Sequence, residues 1–382
     1  MTPRHGLFAA GLSVLAAIPG AAVQAQTLRI ALGLPEVYAA YEPLVGFAGR
    51  LKSDVGLDAR VYAMSLLTLA ETAGGVRDGL TDIGFVVFPY HPVEFSEVNL
   101  VANLSMLATK GATGPLPGAA MTGATMEYTL LNCPECLAQM KANNQVYLTG
   151  ASTPPYRLLC TKPISTAEDA RGKRFRAGAA NWARWSEAMG GASVTVPGNE
   201  TYDAMSQGIV DCTISPLGDL VGGRYVDVST DVTMVAPGGV FAGLGAANVN
   251  RDVWQAFTPD QRSGILRAAN RLSAEAIFAY HADDVEGLAA ARAKGIRIHE
   301  GDATLASASD AFVDADTATI SAQFTKQFKL ANVDAKIATF RALIDKWKGL
   351  TADIGIGDVD RLEKLYWDEV VSKVDPATHG MD

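Results

Sequence analysis

Two neighbouring stretches, residues 168–177 (EDARGKRFRA) and 200–216 (ETYDAMSQGIVDCTISP), decide the fold that this sequence predicts. Alternating side chains predict a strand at the end of the first stretch, and helical spacing followed by a short apolar run predicts a helix and a strand in the second. The full order over this region is strand 174–177, helix 182–189, strand 192–196, helix 201–209 and strand 210–214. Such an alternation places helices over a mainly parallel sheet.

The same alternation occurs nearer the start of the chain. Residues 28–32, 60–64 and 83–88 are predicted strands, and helical patterns separate them. A stretch rich in Gly, Pro, Ala and Thr at 110–125 is predicted to be a surface loop, and 152–156 (STPPY) is predicted to cross between two domains. The remaining predicted strands are 232–235, 246–250 and 296–298, and long helical patterns fill most of the chain after residue 252.

Length and composition limit the protein class. The chain has 382 residues, 48% hydrophobic and 19% charged, which suits two globular domains and excludes a disordered chain. Its net charge is −9, with no basic runs. Because nucleic acids and anionic membranes attract clustered Lys and Arg, neither is an expected partner.

The N-terminus has the three parts of a secretory signal. Arg4 precedes an apolar run over 7–18, and small residues follow up to Ala25. The run is shorter than the ~20 residues that a membrane span needs. We therefore predict a signal peptide over 1–25 and a mature protein in the periplasm, with 357 residues and, without Arg4, a net charge of −10.

The four cysteines are Cys133, Cys136, Cys160 and Cys212. An even number in an oxidising compartment favours disulfides, for which three pairings are possible. Cys133 and Cys136 could close on themselves and leave Cys160 with Cys212. Their Cys-x-x-Cys spacing also leaves a redox site open, and a four-cysteine zinc site is a weaker alternative because one pair lacks ligand spacing.

Catalytic patterns are absent from the mature sequence. Its four histidines, at 91, 281, 299 and 379, never lie three or four residues apart, which disfavours a histidine metal site or a Ser-His-Asp triad. The glycines at 243 and 245 lack the third glycine of a dinucleotide turn. We expect no enzyme activity, no metal and no cofactor.

The charge-bearing feature of the first stretch is a pair of arginines. On a strand, Arg174 and Arg176 point to one side and Phe175 to the other. Two guanidinium groups at one sheet end need an anion, which could be a ligand carboxylate or a structural Asp or Glu. The spacing alone leaves both possibilities open.

The segment from Lys162 to Pro216 resembles the solute-binding subunits of tripartite ATP-independent periplasmic (TRAP) transporters, of the dicarboxylate-binding DctP-like family. The likeness lies in 162–164 (KPI), 168–177, 191–197 and, without a gap, 200–216. It extends more loosely to 73–84, 250–254 and 294–298, so that it covers nearly the whole mature chain.

The resemblance implies an α/β fold of the type II periplasmic binding protein class, with two lobes joined by hinge strands and a helix-rich C-terminus. Residues 26–152 plus about 238–280 would form lobe 1. Residues 153–237 plus about 281–382 would form lobe 2 and the C-terminal helices. The lobes would close on a ligand like a hinge.

The resemblance also implies site residues. Arg176 occupies the position of the family's carboxylate-binding arginine, and Arg157 lies one residue away from that of a second arginine found in some members. Ser215 replaces an asparagine of the family, and Gly198 stands where an aromatic residue often lies, so the pocket is reshaped and a short dicarboxylate is in doubt. Aromatic residues at strand ends or helix starts are expected to form the walls of the cleft, and Glu36 could meet a cationic group on a zwitterion. These wall candidates are Tyr38, Phe88, Tyr90 and Trp182.

The implied function is capture of a carboxylate-bearing small molecule and its delivery to TRAP-type membrane permease subunits, by a monomer. Three alternatives stay open at this point. They are a periplasmic thiol-disulfide protein using Cys133 and Cys136, a solute-binding protein of an ATP-driven importer, and a sensor ectodomain.

Overall fold

A computed structural model describes residues 1–2, 27–111 and 114–381. The predicted signal peptide, residues 1–25, therefore lies outside the described residues apart from Met1 and Thr2. Over the described ranges the predicted α/β class is confirmed. No helix in them combines the length and apolar character that crossing a membrane requires.

The described residues form eleven strands, thirteen α-helices and six short helices of the 3-10 or π type. The strands are β1 (Leu28–Leu32), β2 (Ala59–Ala63), β3 (Ile83–Val87), β4 (Gln145–Ala151), β5 (Pro155–Cys160), β6 (Arg174–Arg176), β7 (Ala192–Val194), β8 (Cys212–Ser215), β9 (Asp231–Val240), β10 (Leu244–Asn250) and β11 (Arg297–His299). The helices are α1 (Tyr41–Val55), α2 (Thr72–Arg77), α3 (Ser96–Ala102), α4 (Pro117–Glu127), α5 (Pro134–Ala142), α6 (Ala180–Ala188), α7 (Thr201–Ser206), α8 (Asp219–Gly222), α9 (Arg251–Ala256), α10 (Pro259–Lys294), α11 (Ala303–Lys326), α12 (Val333–Thr351) and α13 (Val359–Glu369).

The strands form two mixed sheets. The first has the order β2-β1-β3-β10-β4, and the second has the order β11-β9-β5-β8-β6-β7. Parallel pairing holds β1 to β2 and β3, β6 to β7 and β8, and β9 to β11. The prediction of mainly parallel sheets is wrong for the rest, because β10 pairs antiparallel with β3 and β4, and β5 pairs antiparallel with β8 and β9.

The chain passes between the sheets through two adjacent short crossovers, residues 152–154 and 241–243, and a third time along α9 and α10, which connect β10 to β11. The two short crossovers are hydrogen-bonded to each other, since the Phe241 amide donates to the Thr153 hydroxyl (2.9 Å) and the Thr153 amide donates to the Phe241 carbonyl (3.2 Å). Two short, mutually bonded segments are the arrangement that a hinge requires. The lobe boundaries predicted from the sequence are 152/153 and near 237/238.

Helix α10 has 36 residues, so at 1.5 Å per residue it is about 54 Å long. It packs against α1 beside the first sheet and against α8 beside the second. Helix α12 packs against α4, and α13 packs against α10 and α4. These contacts place α12 and α13, which belong to the predicted C-terminal helices, beside elements of the first lobe.

The prediction of a surface loop over 110–125 is wrong from residue 117 onward, because helix α4 occupies Pro117–Glu127 and is buried along its whole length. Pro117 suits the start of a helix, where an amide donor is not needed. At Gly123 an added Cβ would lie only 2.2 Å from the Trp347 ring of α12. The small residues that resemble a loop in the sequence are what allows α12 to approach.

Candidate ligand-binding cavity

A cavity of about 80 Å³ lies between the two sheets, next to the crossovers. Most of its wall is apolar or aromatic. The lining residues are Leu34, Tyr38, Leu69, Phe85, Val87, Tyr90, Thr153, Tyr156, Arg176, Gly198, Pro216, Asp219, Tyr225, Phe241, Leu244 and Tyr280. Both lobes and both short crossovers contribute lining residues, so a molecule bound here would contact the two lobes and the segments that connect them.

Arg176 is the one guanidinium group among these lining residues. It ends β6 with only 4% of its surface exposed, while Phe175 packs into the core on the other face of the strand. Its Nε donates to the Val196 carbonyl (2.9 Å) and its Nη2 to the Tyr90 hydroxyl (3.3 Å). No carboxylate of the described residues lies within 4 Å of its nitrogens.

Burial by itself would lower the pKa of Arg176. Nearby Tyr90, Tyr225 and Tyr156, together with Asp219, outweigh that effect and raise the pKa above its ordinary value. The guanidinium group is therefore a permanent positive charge in a mainly apolar cavity.

Arg174 lies outside the cavity. Its Nε and Nη2 donate to Asp211, each over 3.1 Å, and the Lys162 ammonium group donates to the same carboxylate over 2.7 Å. Asp211 also accepts the Arg174 backbone amide over 2.9 Å. Of the two anions that the sequence allows, a ligand carboxylate or a structural Asp or Glu, Arg174 therefore has the structural one, Asp211.

Tyr90 connects the two lobes across the cavity. It follows β3 of the first sheet, yet its hydroxyl accepts hydrogen bonds from Arg176 and from the Gly198 amide (3.0 Å) of the second lobe. The Tyr225 hydroxyl donates to the Gly198 carbonyl over 3.1 Å, and Tyr38 of the first lobe bonds to Tyr225. These bonds hold the lobes together, as in a closed binding protein.

Asp219 contributes the one carboxyl group of the cavity wall. It begins α8, three residues after Pro216, and is half-buried because its side chain faces the cavity. Desolvation raises its pKa to about 7, since attraction to Arg176 and a hydrogen bond from Ser215 offset only part of the cost. Within the described chain, no Lys, Arg or His nitrogen lies within 4 Å of it.

Ser215 and Trp182 lie one layer behind the wall. Ser215 is fully buried and bonds to Asp219 and to the Thr213 hydroxyl (3.2 Å), so it supports the wall without lining it. The Trp182 ring stacks on Tyr156 at 4.1 Å, and its Nε1 donates to the Gly238 carbonyl over 3.0 Å. Both residues can influence a ligand through the side chain that they hold.

Arg157 and Glu36 are not brought to the cavity. Tyr156 lines it, and because neighbouring side chains on a strand point to opposite faces, Arg157 points away. Arg157 lines a separate cavity of about 220 Å³ with His281 and Asp284. Glu36 is exposed and bonds to Tyr41 at the start of α1.

Phe88 is fully buried and packs against Phe95, outside the lining. Sequence reasoning missed Asp219, Tyr225, Phe241 and Tyr280, which the fold gathers from distant segments. Only Asp219 had a local signal, as an acidic residue close after the family's Pro216 motif.

Both cysteine pairs form disulfides, Cys133 with Cys136 and Cys160 with Cys212. Cys133 and Cys136 are 2% and 0% exposed. Thiol exchange needs an accessible sulfur, so this burial disfavours the alternative of a thiol-disulfide protein. Cys160 and Cys212 lie directly opposite each other on β5 and β8, and their bond links these strands.

Comparisons with known proteins agree with this architecture. Residues 134–319 match the family model of DctP, bacterial extracellular solute-binding protein, family 7. A "Solute-binding protein" of Albidiferax ferrireducens is 23% identical over 137 residues, which are 36% of this chain and 40% of that protein. The chain therefore matches about two fifths of the length of that relative.

Two solved structures extend the likeness to most of the chain. A TRAP periplasmic solute-binding protein from Bordetella bronchiseptica, with bound mandelate, has a TM-score of 0.69 at 21% identity and covers 84% of this chain and 99% of its own. A marine metagenome TRAP solute-binding protein specific for aromatic acid ligands, in complex with metahydroxyphenylacetate, has a TM-score of 0.71 at 18% identity, with coverages of 84% and 99%. The predicted two-lobed fold of this class is confirmed.

Proposed function

We propose that this chain, whose residues 134–319 match the family model of bacterial extracellular solute-binding protein family 7 (DctP), is a TRAP transporter solute-binding subunit that captures a small carboxylate-bearing molecule in the periplasm and delivers it to a membrane permease. The observation that carries this proposal is Arg176, a buried cation that faces the cavity and has no carboxylate of the described residues within 4 Å.

A buried charge without a counter-ion is unfavourable for folding, and a ligand carboxylate would offset this free-energy cost by pairing with it. A guanidinium group presents parallel N–H donors that match the two oxygens of a carboxylate. The Tyr90 hydroxyl, next to Arg176, adds a third polar group from the opposite lobe. Binding of the carboxylate would therefore favour the closed arrangement of the lobes.

The walls support an acid with a compact apolar body. Leu, Val, Phe and Tyr side chains form most of the lining, so the wall offers few polar partners for the many hydroxyl groups of a sugar. The aromatic-acid ligands bound by the two related structures have this character. We propose small aromatic or branched aliphatic acids as the ligand class.

Export through a signal peptide at 1–25 and interaction with TRAP-type permease subunits complete the proposal. Residues 1–25 have the composition of such a signal, and the related solved structures are described as periplasmic. No catalytic activity is proposed, and the protein is expected to act as a monomer.

The test is a thermal-shift screen of small organic acids followed by titration calorimetry of those that bind. Arg176→Ala should weaken binding about tenfold or more, because a charge-assisted hydrogen bond contributes about 1.5–3 kcal/mol. Arg174→Ala is the matched control and should change the Kd less than about twofold, because Arg174 binds Asp211 outside the cavity. Unchanged affinity in a folded Arg176→Ala variant would contradict the proposal.

A further inference from the structure

The cavity contains one cation and one carboxyl group that do not pair with each other. Arg176 and Asp219 both line it, yet no nitrogen of Arg176 lies within 4 Å of the Asp219 oxygens. They are close enough for attraction to Arg176 to lower the pKa of Asp219. The gap between them is enclosed by side chains of both lobes, and a ligand bound at Arg176 would enter it.

We propose that Asp219 determines specificity in this cavity, and that the ligand is a monocarboxylic acid whose second polar group is a hydrogen-bond donor, either a hydroxyl or an ammonium group, that binds Asp219. This inference rests on the proposed function, because it presupposes that Arg176 holds the ligand carboxylate.

Charge balance disfavours the dicarboxylates that the family name suggests. A dicarboxylate would use one carboxylate at Arg176 and bring the second towards Asp219, where like charges repel and burial strengthens the repulsion. Asp283 and Asp284 of α10 also raise the pKa of Asp219 through their negative charge. Among the described residues, attraction to Arg176 lowers the pKa of Asp219, and attraction to Arg157 lowers that of Asp284.

The site is built to present the Asp219 side chain. Ser215, fully buried, bonds to it from behind. The remaining surroundings are tyrosine rings, of which Tyr156, Tyr225 and Tyr280 are close enough for Asp219 to raise their pKa. Aromatic faces favour a cation beside them, and tyrosine hydroxyls can share a hydrogen bond with a ligand hydroxyl. Both kinds of donor therefore suit this wall.

The experiment uses two series of matched acids and measures each Kd by titration calorimetry. The first is phenylacetate, mandelate, phenylglycine and phenylmalonate, and the second is isovalerate, 2-hydroxyisovalerate, valine and isopropylmalonate. Within each series only the substituent beside the carboxylate changes, from hydrogen to hydroxyl, ammonium or a second carboxylate. The wild-type protein should bind a hydroxyl or ammonium member about tenfold or more tightly than the unsubstituted acid, and the malonates more weakly than that acid.

Asp219→Asn should reduce this preference to about threefold or less, while the unsubstituted acid keeps its affinity or gains some. Asp284→Asn is the matched control. It removes another carboxyl group with a raised pKa, which lines the neighbouring cavity beside Arg157, and it should leave the preference intact.

Proton exchange on binding distinguishes the two donors. Asp219, with a pKa of about 7, is partly protonated at neutral pH. An ammonium group would favour its carboxylate and release protons, whereas a hydroxy acid, which brings only its negative carboxylate, would favour the protonated form and take protons up. Titration in buffers with different ionisation enthalpies measures whether protons are released or taken up on binding. This proton exchange should disappear in Asp219→Asn.

A preference that persists in Asp219→Asn would overturn the inference, as would tight binding of a malonate. If acids bind through Arg176 regardless of the substituent, the inference fails and the proposed function stands. If no member of either series binds, both are contradicted.

Discussion

Arg174 and Arg176 lie two residues apart on β6, and their surroundings are opposite. Arg174 is at the surface and binds the carboxylate of Asp211, which also holds Lys162. Arg176 is buried in the cavity and is held by a carbonyl and a tyrosine hydroxyl. The fold supplies the counter-ion where it serves stability and leaves it out where a ligand can supply it. A buried charge without a counter-ion lowers the stability of the ligand-free protein, and binding sites often show such a loss of stability in favour of function.

The two aspartates nearest these arginines show the same contrast. Burial opposes ionisation of Asp211, but the hydrogen bonds from Arg174 and Lys162 outweigh it and hold its pKa well below the ordinary value. At Asp219 desolvation prevails and raises the pKa to about 7. Asp211 should therefore stabilise the fold when ionised, and Asp219 should destabilise it.

The largest effect is expected for Asp219→Asn in the ligand-free protein. Between about pH 4 and pH 7 the unfolded chain releases the Asp219 proton while the folded protein retains it, so stability falls as the pH rises. The variant lacks this proton and should gain stability over the wild type, by only about 0.5 kcal/mol at pH 4 and on the order of 3–4 kcal/mol at pH 7. Urea unfolding at both pH values measures the difference.

Comparison with the wild type at each pH is necessary because Asp283 and Asp284, each with a pKa of about 6 raised mainly by burial, titrate in the same window. Their contribution is common to both proteins. A variant whose gain is equal at pH 4 and pH 7 would show that Asp219 ionises normally, and the contrast with Asp211 would disappear.

Asp211→Asn should have the opposite sign and a smaller size. The amide loses the negative charge that holds Arg174 and Lys162, but it can still accept the Arg174 backbone amide. Because both cations are half-exposed, the expected loss at pH 7 is about 1–2 kcal/mol. The Asp211 term is present above about pH 4, so the loss should shrink as the pH falls below that value.

Ligand affinity provides the control for this variant, because Asp211 lies outside the cavity lining. A change in Kd larger than about twofold in Asp211→Asn would mean that the cavity is coupled through β6 to the surface cluster formed by Lys162, Arg174 and Asp211.

The contrast on β6 also shows which features of the site can be predicted from the sequence and which cannot. The alternation of a strand predicts that Arg174 and Arg176 leave the sheet on one side, and the family resemblance selects Arg176. Neither tells which arginine receives a carboxylate, because Asp211 reaches Arg174 through a pairing of β6 with β8 that is set by the whole sheet. The face of Arg157 was similarly undetermined, since one residue of register exchanges it with Tyr156.

The remaining gaps have the same origin. Asp219 and Tyr280 come from α8 and from the long helix α10, and their meeting depends on how α10 packs across both lobes. Local patterns describe elements, whereas a cavity is formed by elements that are distant in the chain. The buried helix α4 was missed because its small residues owe their role to the Trp347 ring of another helix.

The smallest effect is expected for Lys162→Ala, which tests whether the surface cluster acts as a unit. The Lys162 side chain is 55% exposed, and its ammonium group contacts an Asp211 that keeps both bonds from Arg174. An exposed ion pair contributes about 0.2–1 kcal/mol and is screened by salt, so the variant should lose no more than that, and less at high ionic strength. Urea unfolding with and without added sodium chloride measures both quantities. A loss as large as that of Asp211→Asn would mean that Lys162 and Arg174 hold Asp211 cooperatively, so that the surface charges, like those of the cavity, cannot be treated one pair at a time.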